Sequence, residues 1–249
     1  MEKRYTTSQV AQIIGIHPNT VRLYEELKLI TKPDRGANGY RIFTDLHIDQ
    51  FRVARLSFQV EVLQNGLRKQ AAEIAKASAA CEFERALALT AAYLKQIEQE
   101  KYHAEEAIRI TERILKKSKG EQENLQMTRK ETADYLQVTI DTLRNWEMNG
   151  LLRVKRKQNG YRVYNDADVR QLKIIRALRC ANYSLAAILR MLNTLNQNPR
   201  IDIREAIDTS EAKEDIITAC DNLLTSLGQA EKNAEEICMQ LEKMKKEYF

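Results

Sequence analysis

The second half of the chain repeats residues of the first half at a nearly constant spacing. The spacing is 122 residues for the first six matches and 121 residues for the last five. The matched pairs are Thr6 and Thr128, Ala11 and Ala133, Thr20 and Thr142, Arg22 and Arg144, Glu25 and Glu147, Leu29 and Leu151, Asn38 and Asn159, Gly39 and Gly160, Tyr40 and Tyr161, Arg41 and Arg162, and Asp45 and Asp166. A solenoid repeat spans only about 20–50 residues. The spacing therefore predicts a duplicated domain whose two copies bind similar partners.

The composition favours long helices in a cytoplasmic protein. Glycine (8) and proline (3) are scarce, and 30% of the residues are charged. No apolar run reaches the roughly 18 residues that a membrane span needs, and no apolar stretch follows the N-terminus as in a secretory signal. The four cysteines form no CxxC pair, which is typical of a reduced protein.

Positive charge is concentrated in the two repeated segments. Residues 1–60 hold nine Lys/Arg against six Asp/Glu, and residues 125–180 hold twelve against six. The rest of the chain holds nineteen against twenty-three. Two matched basic segments favour a polyanionic partner, although many basic surfaces are merely solvated.

Each repeated segment begins with the pattern of a helix-turn-helix. In the first, Thr6-Thr7 offers an N-cap, Gly15 ends a short helix, and Pro18 starts a second helix that runs to Leu27. The equivalent helices of the second segment are Lys130 to Leu136, capped by Thr128, and Ile140 to Met148, capped by Thr139 and ended by Asn149-Gly150. The second helix of such a pair can enter a DNA major groove.

A β-hairpin, or wing, is expected after each helix pair. Asn-Gly between β-prone residues predicts hairpins over Thr31 to Phe43 and Arg153 to Tyr164. The second hairpin carries the cations Arg153, Lys155, Arg156 and Lys157. Close-set cations on a projecting hairpin suit phosphate contact, and the alternative is a solubilising loop.

These motifs together resemble the MerR family of bacterial transcription regulators. The pattern is Thr-x-Arg-x-(Tyr/Trp)-Glu, then Asn-Gly-Tyr-Arg-x-(Phe/Tyr), then a long helix. It is carried by Thr20, Arg22, Tyr24, Glu25, Asn38 to Arg41 and Phe43 in the first segment, and by Thr142, Arg144, Trp146, Glu147, Asn159 to Arg162 and Tyr164 in the second. The resemblance implies a mainly α chain with two winged helix-turn-helix DNA-binding domains, each followed by a long coiled-coil helix.

The resemblance also implies roles for the matched residues. Arg22 and Arg144 should contact DNA, whereas Tyr24 and Trp146 should contact its backbone or belong to the core. Wing arginines should reach phosphate, wing tyrosines should pack the wing down, and Glu25 and Glu147 should form internal ion pairs. The expected DNA contacts are Asn19, Thr20, Arg22, Tyr24, Tyr40, Arg41, Asp141, Thr142, Arg144, Trp146, Lys155, Arg156, Lys157, Tyr161 and Arg162.

The chain is expected to divide into two heads, two arms and two connections. The first head spans residues 1–80, the first arm 81–117 and a linker 118–126. The second head spans residues 127–195, a connector 196–210 and the second arm 211–249.

Both arms show apolar stripes with coiled-coil spacing. The first stripe comprises Phe83, Leu87, Thr90, Leu94, Ile97, Lys101, Ala104, Ile108, Thr111 and Leu115. The second comprises Ile216, Cys220, Leu223, Leu227, Ala230, Ala234, Ile237, Leu241, Met244 and Tyr248. The pairing is expected to rest on Phe83, Leu87, Leu94, Ile97, Ile108 and Leu115 in the first arm, and on Ile216, Leu223, Leu227, Ile237, Leu241 and Met244 in the second.

In the MerR family such arms pair antiparallel between two subunits. Because this chain has two arms, an intramolecular pseudo-dimer is predicted, with Phe83 near Tyr248 and Leu115 near Ile216. A homodimer with four heads is the alternative.

No catalytic motif, cofactor motif or metal-ligand set is found, and an enzyme is not expected. Cys81 is expected to be a buried structural cysteine. The expected partners are double-stranded promoter DNA, distorted on binding, and RNA polymerase indirectly, in a bacterial protein associated with the nucleoid when bound. Because the recognition helices differ, the operator should not be palindromic. The alternatives are an architectural, excisionase-like DNA-bending protein, and a small-molecule-sensing adaptor with a pocket at the arm seam.

Overall fold

The computed structural model describes residues 3–59, 66–117, 124–156, 160–208 and 222–248. Over these residues the chain is mainly helical, with one two-stranded sheet. The mainly α fold with helix-turn-helix domains is thereby confirmed. No helix in these ranges is long and apolar enough to cross a bilayer.

The helices in chain order are α1 (Thr7–Ile14), α2 (Pro18–Glu26), α3 (Asp45–Phe58), α4 (Leu67–Ala79), α5 (Phe83–Lys117), α6 (Arg129–Leu136), α7 (Ile140–Met148), α8 (Asp166–Cys180), α9 (Leu185–Gln197), α10 (Ile203–Asp208) and α11 (Leu223–Tyr248). The strands are β1 (Asp34–Arg35) and β2 (Arg41–Ile42). They form two compact units: unit 1 contains Met1–Gln99 and Ser226–Phe249, and unit 2 contains Glu100–Thr225.

Local chemistry fixes the helix-turn-helix of unit 1. The Thr6 side chain accepts a hydrogen bond from the Gln9 backbone N–H, and the Gln9 side-chain oxygen accepts one from the Thr6 backbone N–H, so the first turn of α1 is capped. Gly15 ends α1 with φ of 70°, a conformation that favours glycine. Pro18 stands at the first position of α2, where its missing N–H costs nothing. The expected starts of both helices are confirmed.

The wing of unit 1 is a minimal hairpin. β1 and β2 are antiparallel with Arg35 opposite Arg41, and Gly39 adopts φ of 77° in the turn. A further bridge pairs Tyr5 with Phe43, and Phe43 is fully buried among the first head's core residues. The predicted hairpin is therefore confirmed, although its paired strands have only two residues each.

Helix α11 packs within unit 1 against α3 and the start of α5. The Lys245 Nζ lies 2.5 Å from Glu84 Oε1, and the Tyr248 hydroxyl donates to Asp49 Oδ2 at 3.1 Å. The Asn233 amide donates to the Leu56 carbonyl oxygen at 3.4 Å. Residues from α11 thus complete the core of unit 1.

Unit 2 repeats the helix-turn-helix with its own caps. Thr128 and Glu131 cap α6 reciprocally, and the Thr139 hydroxyl accepts from the Thr142 backbone N–H at the start of α7. Helix α6 begins at Arg129, one residue before the expected start, and α7 has the expected bounds. The wing contains a bridge between Arg156 and Arg162, and residues 157–159, at its expected turn, lie outside the described ranges.

The expected stripe of α5 consists of two rows of residues with seven-residue spacing, and the buried positions agree with the first row and with only Ile108 of the second. Phe83, Thr90, Ile97, Ala104 and Thr111 are buried, as the seven-residue spacing predicts. Near the expected second row, the structure also buries Ala86, Tyr93 and Ala107. Each lies one position before an expected residue, namely Leu87, Leu94 and Ile108. Leu87, Leu94, Lys101 and Leu115 are only half-buried, whereas Ile108 is buried.

The stripe of α11 agrees with expectation from Leu223 to Met244. Its stripe residues there, Leu223, Leu227, Ala230, Ala234, Ile237, Leu241 and Met244, are buried, whereas Tyr248 is half-buried. Ile216 and Cys220 lie outside the described residues, as do linker residues 118–123.

Candidate nucleic-acid interface

Helix α2 presents a polar face on the surface of unit 1. Val21 is fully buried and anchors the helix, whereas Asn19 and Arg22 are exposed. The Arg22 Nη1 donates to Asn19 Oδ1 at 3.3 Å, and Thr20 is half-buried beside them. These three side chains are where a recognition helix would place residues that contact DNA.

Helix α7 presents the equivalent face on unit 2. Leu143 and Trp146 are buried, and the Asp141 and Arg144 side chains are 87% and 59% exposed. The Arg144 Nη1 lies 3.5 Å from Asp141 Oδ1, one helical turn away. Thr142 is half-buried near the helix start. Arg22 and Arg144 therefore occupy matched, accessible positions in the two recognition helices, α2 and α7.

The two aromatic residues of the recognition helices face inward. Trp146 is 5% exposed. Tyr24 is half-buried and stacks on Phe51 with ring centroids 5.5 Å apart, and burial raises the pKa of its hydroxyl. Of the two roles that were open, backbone contact or core, this placement favours the core.

The wing tyrosines face outward, so the expectation that they pack the wings down is wrong. Tyr40 is 73% exposed and Tyr161 is 72% exposed, although both are large and partly apolar. Each precedes an arginine of the repeated Asn-Gly-Tyr-Arg motif. Contact of these two rings with DNA stays a prediction.

In unit 1 the wing is tied to the recognition helix by an ion pair. The Arg41 Nε lies 2.5 Å from Glu25 Oε2, and the Arg35 Nη2 lies 3.9 Å from Glu25 Oε1. The Glu25 side chain is only 12% exposed, so this contact is largely shielded from water. Glu25 makes the internal ion pair that was expected of it.

The same contact recurs in unit 2 with more partners. The Arg162 Nε lies 2.6 Å and the Arg129 Nη2 lies 2.8 Å from Glu147 Oε2. The Tyr164 hydroxyl also donates to Glu147 Oε1. Burial raises the pKa of that hydroxyl to about 12, and the hydrogen bond to Glu147 adds to the rise. The predicted internal ion pair of Glu147 is confirmed.

These ion pairs fix each wing relative to the helix beside it. Glu25 and Glu147 stand near the ends of α2 and α7, and Arg41 and Arg162 stand on the wings. Each arginine uses its Nε for the glutamate and retains other N–H groups. Contact of Arg41 and Arg162 with phosphate therefore stays a prediction.

Arg129 was not expected in this cluster. Its counterpart in the first half is Thr7, so the repeat gives no indication of a second cation. The one feature of the sequence that bears on Arg129 is its position directly after the Thr128 cap of α6.

The basic side chains of the second wing are exposed where they are described. Arg153, Lys155 and Arg156 are exposed, and the Val163 backbone N–H donates to the Lys155 carbonyl oxygen at 3.2 Å. Lys157 lies outside the described residues. This hairpin places three cations on the surface of the head that has the larger basic excess.

Cys81 is half-buried rather than fully buried. Its Sγ accepts a hydrogen bond from the Gln50 side-chain amide at 3.7 Å, and its backbone φ is 58°. Among the described residues, no group of three His, Cys, Asp or Glu side chains is arranged to hold a metal ion.

Comparison with known proteins identifies both helix-turn-helix segments. Residues 127–195 match the profile of the MerR HTH family regulatory proteins, and residues 6–43 match that of the MerR family regulatory proteins. The HTH-type transcriptional regulator CueR of Escherichia coli O6:H1 is 42% identical over 53 residues, covering 21% of this chain and 39% of that protein.

Two further CueR proteins show the same limited overlap. That of Yersinia pestis is 43% identical over 53 residues, covering 21% of this chain and 38% of the relative. That of Vibrio cholerae serotype O1 is 36% identical over 58 residues, covering 22% and 42%. The chain thus spans about two-fifths of the length of the curated relatives that it matches. No solved structure matches it significantly.

Proposed function

We propose that this protein, whose chain carries two MerR-family domains in tandem, is a transcription regulator that binds promoter DNA with both heads. The observation that carries the proposal is the matched placement of Arg22 and Arg144. Each stands exposed on a recognition helix whose wing is held by a Glu–Arg ion pair. Arginine on a helix in the major groove is the commonest specific contact to guanine.

The two heads are suited to unlike half-sites. In α2 the exposed side chains include Asn19, Arg22 and Leu23, whereas α7 exposes Asp141, Arg144 and Asn145. Asparagine and arginine bind different base edges, and a carboxylate accepts from cytosine. We therefore infer a non-palindromic operator.

The arms are proposed to pair within one chain, so that the two halves act as a pseudo-dimer. Within unit 1, the end of α11 contacts the start of α5 through Lys245 and Glu84. Within unit 2, the later part of α5 contacts the second head, where the Asn182 amide donates to Glu100, and the connector, where Arg204 pairs with Glu105. The Lys245–Glu84 contact joins the end of one arm to the start of the other, as an antiparallel pair of arms would.

Binding by both heads would distort the promoter and so affect RNA polymerase indirectly. Bending a site of 20–30 base pairs costs on the order of 1–6 kcal/mol, and contacts from two heads can offset that cost. A steeper salt dependence is expected for the second head because its wing exposes more cations.

Replacing the recognition-helix arginines tests the proposal. Arg22→Ala and Arg144→Ala should each weaken binding to a selected duplex, because loss of one bidentate base contact costs about 1–3 kcal/mol. Fluorescence anisotropy at a fixed salt concentration measures the affinities, with Arg85→Ala as the control. Arg85 is a 60% exposed arginine on α5, outside both recognition helices.

The pattern of loss distinguishes the two heads. Each variant should relax base preference in a different half of the selected site. Unchanged affinity and unchanged preference in both variants, or equal loss in Arg85→Ala, would contradict the proposed function.

A further inference from the structure

A groove in unit 2 lies among α5, α6 and α8 and has a volume of about 670 Å³. Small-molecule sites commonly have volumes of about 300–1,000 Å³ and mostly apolar linings. The apolar part of this lining is Ala107, Ile110, Ile114, Leu136, Ala177 and Ala181. The groove therefore has the size and the apolar lining, called its floor below, of a site for a small organic molecule.

Aromatic rings and cations stand around this floor. Tyr102 is 60% exposed and Tyr135 is 46% exposed, so both ring surfaces are accessible. The Lys173 Nζ lies 4.9 Å from the centre of the Tyr135 ring and donates to its hydroxyl at 2.8 Å. The Arg176 Nη2 donates to Gln137 Oε1 at 3.3 Å. Glu106, the acidic residue of the lining, lies 3.5 Å from Arg109.

Unit 1 contains the equivalent groove, with different chemistry. It lies among α1, α3 and α11 and has a volume of about 540 Å³. At the repeat spacing of 122 or 121 residues, the groove residues of unit 1 and unit 2 correspond as Ile13 and Tyr135, Ile14 and Leu136, Arg52 and Lys173, Arg55 and Arg176, and Leu56 and Ala177. The two halves thus have corresponding grooves, and Tyr135 of the unit 2 groove stands where the unit 1 groove has Ile13.

Two of the three cations in the unit 1 groove, Arg52 and Lys243, pair with a buried carboxylate. Asp49, which is 3% exposed, lies 2.7 Å from Arg52 Nη1 and 3.4 Å from Lys243 Nζ. The residue at the Asp49 position of the second half is Arg170. At this position the unit 2 groove therefore lacks the buried carboxylate that pairs with Arg52 in unit 1, the counterpart of Lys173.

We propose that the groove of unit 2 binds a small aromatic anion. The ring of the ligand packs on the apolar floor between Tyr102 and Tyr135, where offset or edge-to-face contacts are favourable. Its carboxylate or sulfonate pairs with Lys173 and Arg176, since charge-assisted hydrogen bonds are the stronger ones. A cationic ligand is disfavoured by the same two side chains.

This site is placed to act on the second recognition helix. Helices α6 and α8, which line it, flank α7 in the chain. Arg176 also borders a second hollow of about 590 Å³ that is lined by Thr139, Asp141 and Trp146 at α7. A ligand that binds Arg176 therefore contacts a side chain that borders both the groove and the hollow at α7. Ligand binding could in this way regulate the second recognition helix.

Calorimetric titration of the whole protein with 2-naphthoate tests the site without DNA. We expect saturable binding of one equivalent, whereas the uncharged 2-naphthalenemethanol should bind at least about tenfold more weakly, because it lacks the charge-assisted contact. Tyr135→Ala and Arg176→Met should each weaken naphthoate binding by about tenfold. Bound naphthoate should also slow alkylation of Cys180, which is exposed and lines the groove.

The equivalent changes in unit 1 are matched controls. Ile13→Ala and Arg55→Met occupy the corresponding positions of the other groove and should leave the affinity for 2-naphthoate unchanged. The proposal is overturned by the absence of saturation at about 1 mM naphthoate, which corresponds to only about 4 kcal/mol of binding free energy. Equal affinity for the alcohol, or equal loss in the control variants, also overturns it. The alkylation of Cys180 is measured on the unsubstituted protein, so a variant that fails to fold does not remove the test.

Discussion

Replacing Leu241 with aspartate is expected to unfold unit 1. Leu241 is fully buried on α11 between Ile237, which is 1% exposed, and Met244, which is fully buried. An unpaired carboxylate at this position must either leave the core or be protonated, and such substitutions cost about 4 kcal/mol or more. That is a large part of the 5–15 kcal/mol that stabilises an average domain. The damage should reach the first head, because α11 completes its core.

Met239→Asp is the matched control for this change. Met239 lies two residues earlier on the same helix and is 66% exposed, so its replacement should change the free energy of unfolding by less than about 0.5 kcal/mol. Hydrogen exchange measured by mass spectrometry locates the loss of protection. We expect loss over α1 to α4 in Leu241→Asp alone. Equal protection in the two variants would show that α11 does not complete the core of unit 1.

Replacing Glu147 with glutamine is expected to be the most damaging isosteric change in either head. The Glu147 side chain is 9% exposed and lies within 3 Å of Arg129 and Arg162. Removing its charge leaves two poorly solvated guanidinium groups without their counter-ion, and breaking a buried ion pair in this way costs about 3–5 kcal/mol. The wing of unit 2 should then lose its fixed position beside α7, and DNA affinity should fall with it.

Glu25→Gln makes the same substitution in unit 1 and serves as the comparison. Glu25 is 12% exposed and has one close cation, Arg41, with Arg35 at 3.9 Å. Its replacement should therefore cost less than that of Glu147. For Glu147→Gln, urea unfolding followed by the fluorescence of Trp146 measures the loss in free energy of unfolding. Trp146 is the single tryptophan and is the neighbour of Glu147. For Glu25→Gln, circular dichroism measures the transition. A smaller loss of unfolding free energy in Glu147→Gln than in Glu25→Gln would contradict the role given to the Glu147 ion pairs.

The sequence was sufficient to predict the helix-turn-helix elements because their ends are set by local chemistry. A threonine cap, a proline at a first helical position and a glycine with positive φ act within a few residues. Gly15, Pro18 and Thr139 accordingly have the positions that were expected of them. The ion pairs of Glu25 and Glu147 were also predictable, because phosphate would repel a free carboxylate on the proposed DNA-binding face.

Features that depend on packing between distant elements were not predictable in the same way. In α5 the apolar residues Ala86 and Leu87 are adjacent, so a spacing of three or four residues permits either as the second row. The surrounding elements decide, and Ala86 is the buried one. The outward placement of Tyr40 and Tyr161 was not predictable either, because the short paired segments of the wings offer little core for a ring.

The mass of the protein–DNA complex tests most directly whether one chain supplies both heads. Sedimentation velocity at low protein concentration, with a duplex recovered by selection of bound sequences, gives the number of chains per duplex. We predict one chain on a duplex whose two half-sites differ. Two chains per duplex, bound to identical half-sites, would contradict the pseudo-dimer and its asymmetric operator.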